Sequence, residues 1–188
     1  AYSGVALPMA AMGMPIAVYL PRFYSEGLGL SLITVGLIFT LARVWDVVTD
    51  PAMGYLIDRF ETRWGRRKHW IALAVPILVV SVYQVFIPSP EDVSGGYLLF
   101  WLIMLYVGYT MMAISHQSWG AELADSYDDR TRLFGWREIF VIGGMTIVLA
   151  LPALLESTGV DDQQSKVASM GWFCILLFPL LALPTLAF

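Results

Sequence analysis

Residues 41–54 read LARVWDVVTDPAMG, and this stretch decides the fold. It continues an apolar run that begins at Gly27, so Arg43, Asp46 and Asp50 stand inside a segment long enough to cross a bilayer. Their i, i+3, i+7 spacing stacks a guanidinium and two carboxylates on one helical stripe. Hydrocarbon solvates ions poorly, so such groups face a bundle interior or a water-filled path, usually with partners. Two carboxylates one turn apart repel each other when both are ionised, and a bound cation relieves the repulsion. Oxygen ligands suit a hard cation such as sodium, whereas a carboxylate that keeps its proton serves proton coupling. The competing reading is that Arg43 merely neutralises one aspartate while the other sits at the interface. Pro51 lacks a backbone donor and can loosen the helix at Asp46 and Val47, exposing a carbonyl.

The rest of the chain is built the same way. Of its 188 residues, 58% are hydrophobic and 14% charged, and the mean hydropathy is +0.69, values outside the balance of a water-soluble domain. Charge-poor runs predict six membrane helices, over residues 3–23, 31–57, 69–88, 97–123, 133–155 and 168–187. The fold class expected is an all-α membrane protein, a single six-helix bundle over residues 1–188. Pro90, Ser94, Gly95 and Gly96 assign the first residues of the fourth run to a loop. Arg59, Arg63, Arg66, Arg67 and Lys68 fall between spans two and three, and Arg130 and Arg132 between four and five. The positive-inside rule then places both chain ends in the cytoplasm. The chain starts at Ala1 and stops at Phe188 in an apolar stretch, which reads as a segment of something longer. No cleavable signal pattern precedes the first run. A net charge of −4 with no basic face argues against nucleic-acid binding, and the lone Cys174 reads as a packing residue. Nothing calls for a cofactor, or for a metal beyond a coupling sodium.

After the acidic stripe come Gly54-Tyr55-Leu56-Ile57-Asp58-Arg59 and then Gly65-Arg66-Arg67-Lys68. This resembles the signature loop between helices two and three of the major facilitator superfamily, with residues 60–64 as extra length. The resemblance implies the N-terminal half of a twelve-helix transporter whose C-terminal half is not in this chain. It also implies a cytoplasmic gate of Gly54, Asp58, Arg59, Gly65, Arg66 and Arg67, with Gly54 permitting close helix approach.

The Arg-x-Trp-Asp-x-x-x-Asp-Pro-x-x-Gly core is similar to that of the glycoside-pentoside-hexuronide:cation symporters, and to the related sodium-dependent lysolipid symporters. Tyr19-Leu20, Gly29-Leu30-Ser31, Trp119 and Arg137 extend the likeness. It implies a coupling cation, sodium or proton, on Asp46, Thr49 and Asp50. It places Trp119 and Arg137 toward the substrate, a sugar-like small molecule. Arg43 joins them from the acidic stripe, and His116 and Gln117 from a polar turn of span four. Trp119 offers a flat apolar face, Arg137 a planar fork of donors, and His116 either a substrate contact or a bond between helices. Ala10 and Ser115 stand where the family's melibiose carriers have sugar-contacting aspartates, and Met112 where they have a cation-site threonine. Glu122, Asp125, Asp128, Asp129, Arg130 and Arg132 read as a solvated salt-bridge loop, or as a contact to Asp58 and the basic loop. Gly143 and Gly144 read as a close helix contact or a bend.

The function expected is secondary symport by alternating access, in a bacterial inner membrane. A lysolipid or organic-anion transporter is the alternative on the same fold, and a non-transporting assembly factor the alternative from another class. An intramembrane hydrolase is disfavoured, because Asp46 and Asp50 share one helix and no Gly-x-Gly-Asp or His-Glu-x-x-His motif is present.

Overall fold

The computed structural model describes residues 2–63, 65–124 and 126–187; Ala1, Trp64, Asp125 and Phe188 lie outside the described residues. Six long helices make up the bundle: α1 (Ala6–Arg22), α2 (Leu32–Arg59), α3 (Lys68–Phe86), α4 (Gly95–Leu123), α5 (Tyr127–Ser157) and α6 (Gln163–Ala187). All six are long and apolar enough to cross a membrane. A 3-10 turn, Tyr2–Val5, leads into α1, and a π turn, Phe23–Gly27, follows it.

Helix starts are set by short polar side chains that accept the otherwise orphaned amide protons. Ser31 caps α2 through the Thr34 N–H, and Ser94 caps α4 through the Tyr97 N–H. That cap draws Gly95 and Gly96 into the helix, two residues ahead of the sequence expectation. Ser126 accepts from the Asp129 N–H and donates to the Asp129 carboxylate. α5 therefore begins at Tyr127 rather than residue 133, and Asp128, Asp129, Arg130 and Arg132 form its first turns instead of a loop.

Asp162 caps α6 by accepting from the Ser165 N–H at 2.9 Å and its hydroxyl at 3.0 Å. Those two bonds hold the Asp162 carboxyl below the usual carboxylate range, the backbone one contributing most. A carboxyl held low adds stability above its unfolded value near ~4 and loses it as pH falls through the folded value. Below pH ~4 the wild-type melting temperature should therefore fall more steeply than that of Asp162→Asn. Parallel melting curves would contradict the cap.

Packing runs α5–α1–α6–α3–α4–α2, with α1–α5 and α3–α4 the most extensive pairs. The core lies between α1, α3, α4 and α6, where Met12, Leu20, Phe23, Tyr24, Leu78, Phe86, Leu102 and Phe178 are buried. Cys174 is buried there too, as a packing residue. α2 and α5 are the least enclosed helices, each with 17% of its most apolar window buried against about half for α1 and α4. α2 thus reaches its neighbours mainly through one stripe, the one facing α4.

Gly144 is where α5 meets α1 backbone to backbone. A β-carbon there would collide with the Leu7 carbonyl, whereas one at Gly143 would meet nothing within 4 Å. Of the two readings of this glycine pair, close helix contact is the one observed, and it belongs to Gly144.

Candidate functional site

The acidic stripe of α2 lands on the sole threonine of α4. Thr110, itself buried, donates its hydroxyl to Asp50 Oδ1 at 2.8 Å and to Asp46 Oδ1 at 3.1 Å. A hydroxyl carries one proton, so a single donor is shared between two anions that would otherwise repel. Arg43, one turn away, places Nη1 3.6 Å from Asp46 Oδ2, longer than a hydrogen bond, with its guanidinium carbon 4.9 Å over the Tyr106 ring. The Asp46 side chain is 16% exposed against 64% for Arg43, so the pair is reachable from the open side of α2.

Two further observations bear on this cluster. The helix-four hydroxyl sits at Thr110, two residues before Met112, which is buried in the hydrophobic core. A threonine within an apolar run looks like a packing residue until its tertiary neighbours are known, and its uniqueness in α4 was the available signal. Thr49 turns its hydroxyl onto its own helix, donating to the carbonyls of Trp45 at 3.0 Å and Asp46 at 3.3 Å. The structure therefore brings Asp46, Asp50 and Thr110 together, with Thr49 behind them on the backbone. α2 runs unbroken through Pro51. The proline supplies no N–H to the Val47 carbonyl, leaving that acceptor one turn from the acids without its helical partner.

The substrate candidates separate in space. Arg43 lines a small cavity with Met12, Gly13, Ile16, Leu105, Tyr106 and Tyr109. His116 belongs to another assembly: it is 1% exposed, its Nε2 lies 2.8 Å from the Tyr2 carbonyl, and its ring stacks on Tyr2 at 4.1 Å. Tyr2 returns its hydroxyl to the His116 carbonyl at 2.9 Å, in a space that only a glycine at 120 leaves open. His116 thus ties the first residues of the chain to α4, the helix-bonding alternative of its two readings. Trp119 meets Tyr2 edge-on and lies under the Lys68 ammonium, 5.4 Å away. Gln117 is exposed. Arg137 pairs through Nη1 with Glu138, while its Nε is buried with no partner among the described residues.

At the basic-loop end, Arg67 joins three helices. Its side chain is 8% exposed and bonds to Asp58 Oδ1 at 2.7 Å, at the end of α2, and to Glu122 Oε1 at 3.1 Å, at the end of α4. Glu122 therefore contacts the basic loop, the second of its two readings. Arg66 donates twice to the Asp58 carbonyl, and Arg59 donates to the Tyr55 hydroxyl at 2.7 Å. Gly65 adopts φ +91°, a turn conformation that residues with a β-carbon rarely take. Gly54 does not mediate close helix approach within this chain, because a β-carbon there would meet nothing within 4 Å.

A bundle of six helices long and apolar enough to cross a membrane, with a hydroxyl-bridged carboxylate pair within its spans, is the architecture of an integral membrane protein. The whole chain, residues 1–188, matches the family described as MFS/sugar transport protein, and it belongs to that family. It is 31% identical over 169 residues to the isoprimeverose transporter of Lactiplantibacillus pentosus, covering 86% of this chain and 34% of that protein. It is 30% identical over 163 residues to the putative glycoside/cation symporter YagG of Escherichia coli (strain K12), covering 84% and 34%. The sodium-dependent lysophosphatidylcholine symporter 1 of Gallus gallus is 27% identical over 122 residues, covering 64% and 22%. The chain thus spans about a third of the length of the isoprimeverose transporter and of YagG.

Proposed function

We propose that this chain is the N-terminal half of a cation-coupled symporter that moves a sugar or glycoside across a bacterial inner membrane, with both ends of the segment in the cytoplasm. The observation that carries the reading is the convergence of Asp46, Asp50 and Thr110 from two helices. A monovalent cation, sodium or proton, relieves the repulsion that the Thr110 proton only partly offsets. Binding it draws α2 against α4 and biases the rocking of this half against the C-terminal one. The gate is the Arg67 bridge with Asp58 and Glu122, and Gly54 offers its small face to a helix of the other half. The substrate class follows the relatives named for isoprimeverose and for glycosides, which match more of the chain than the lysophosphatidylcholine symporters do. Uptake of a glycoside panel into proteoliposomes holding the complete transporter, with an inward sodium or proton gradient, tests this. Accumulation above equilibrium that collapses with the gradient supports symport, and gradient-independent uptake contradicts it.

Arg67→Ala leaves two acids without their shared partner. Because both acids are substantially exposed, the loss should be about 1–2 kcal/mol. The thiol-labelling rate of an Ile57→Cys reporter, buried at this end of α2, should rise about tenfold. An unchanged rate would remove Arg67 from the gate.

A further inference from the structure

The ends of α1, α5 and α6 that lie opposite the basic loop surround a cavity of about 620 Å³. At about 30 Å³ per water, that is room for roughly twenty waters. Its charged lining residues are Arg22, Glu156, Asp161 and Lys166, two of each sign. Val18 and Pro152 line it one turn below Arg22 and Glu156, about 6 Å deeper at 1.5 Å per residue. The wall thus turns from ionic to apolar along the helix axes, as a bilayer does where headgroups give way to hydrocarbon. Hydrogen-bonding capacity there is only partly used. Lys166, whose side chain is 12% exposed, gives two of its three ammonium protons to Glu156 Oε1 and Asp161 Oδ1, both at 2.6 Å. Each acid keeps its second oxygen without a partner among the described residues. Arg22 gives its Nε proton to Glu26 at 2.7 Å, and its Nη protons likewise have no partner among the described residues. α5 and α6 are consecutive in the chain, yet they pack on α1 and α3 more than on each other, which leaves a crevice between them.

We propose that this cavity holds the phosphoethanolamine head of a zwitterionic phospholipid from the adjoining leaflet, with an acyl chain in the crevice between α5 and α6. The phosphate accepts the third Lys166 proton and the Arg22 Nη protons, and the ammonium donates to the open oxygens of Glu156 and Asp161. The four lining charges sum to zero, so they select a head that carries both signs. A purely anionic head would satisfy the two bases and leave the two acids facing a like charge. A trimethylated ammonium has no N–H to donate, so a choline head would satisfy the acids less well. Seated there, the lipid bridges α1 to the connection between α5 and α6, and its occupancy stabilises this end of the bundle. The inference is independent of the symport reading and rests only on the chain's crossing a bilayer.

The test uses the complete transporter, delipidated in detergent and titrated with dioleoyl phosphatidylethanolamine, phosphatidylcholine or phosphatidylglycerol. Native mass spectrometry would count retained lipids, and thermal melts would follow stability. Phosphatidylethanolamine is expected to be retained at least ~10-fold better than phosphatidylglycerol and severalfold better than phosphatidylcholine, and to raise the melting temperature. Arg22→Gln removes phosphate donors from an exposed side chain, so the lipid-free protein should melt as the wild type does. Its preference for phosphatidylethanolamine over phosphatidylglycerol should shrink to within about threefold. Lys166→Met should remove the preference altogether. Because that variant also breaks the bonds to Glu156 and Asp161, Arg22→Gln keeps the test clear of folding defects. Equal retention of the three lipids, tighter retention of phosphatidylglycerol, or a preference undiminished in Arg22→Gln would each overturn the site. Displacement of the lipid by a glycoside would also overturn it, by making the cavity the mouth of the substrate path.

Discussion

Asp46→Asn and Asp50→Asn should each abolish cation-driven accumulation in the complete transporter while leaving the protein folded and in the membrane. Asparagine keeps the shape of the side chain and still accepts from Thr110, so the link between α2 and α4 survives. The negative charge that the proposed site offers a cation is lost. A direct ionic ligand inside a membrane bundle is not replaced by a neutral carbonyl, and accumulation should fall to the equilibrium level. Thr110→Val should act more mildly, by about tenfold in apparent cation affinity, since it removes one hydroxyl and no charge. Gradient-driven uptake by each single variant, normalised to protein in the membrane, gives the answer. Full accumulation by either asparagine variant would show the pair to be a structural neutraliser.

Gly144→Val should be strongly destabilising. A β-carbon at this position meets the Leu7 backbone rather than a movable side chain, so α1 and α5 must separate along their extensive contact. Overpacking a core typically costs about 1–3 kcal/mol, and a clash with main chain belongs at or above the top of that range. Gly143→Val, one residue away and facing open space, should be nearly neutral in the isolated half. Thermal melts of the two variants in one detergent provide the comparison, and equal melting temperatures would contradict the packing described.

Hydropathy made the six spans legible because hydrocarbon-length apolar runs leave few other options. Where charge interrupted the run, the reading fell short. The first turns of α5 carry Asp128, Asp129, Arg130 and Arg132, and only the Ser126 cap reveals that they are helical. Within the site, Asp46 and Asp50 stood out because charge inside a membrane helix is costly. Thr110 did not, since it contacts them across 60 or more residues of chain and resembles any small residue in an apolar helix. His116 carried two readings, a substrate contact or a bond between helices, and only packing shows the second. Its titratable ring suggested chemistry, yet its partner is the Tyr2 carbonyl, 114 residues away. Residue type and spacing disclose a site when all its members share one helix, and leave undisclosed the contacts that arise only when helices pack.

The account turns on whether a cation binds at the carboxylate pair. The most direct measurement counts cations bound per chain of the complete transporter, by sodium titration and by proton uptake or release on adding substrate. It would be run on wild type and on the double variant Asp46→Asn, Asp50→Asn. One saturable sodium, or one proton exchanged, in the wild type and none in the double variant is the expected result. Equal cation counts in the two proteins would place the coupling site elsewhere and leave the hydroxyl-bridged pair as a helix contact.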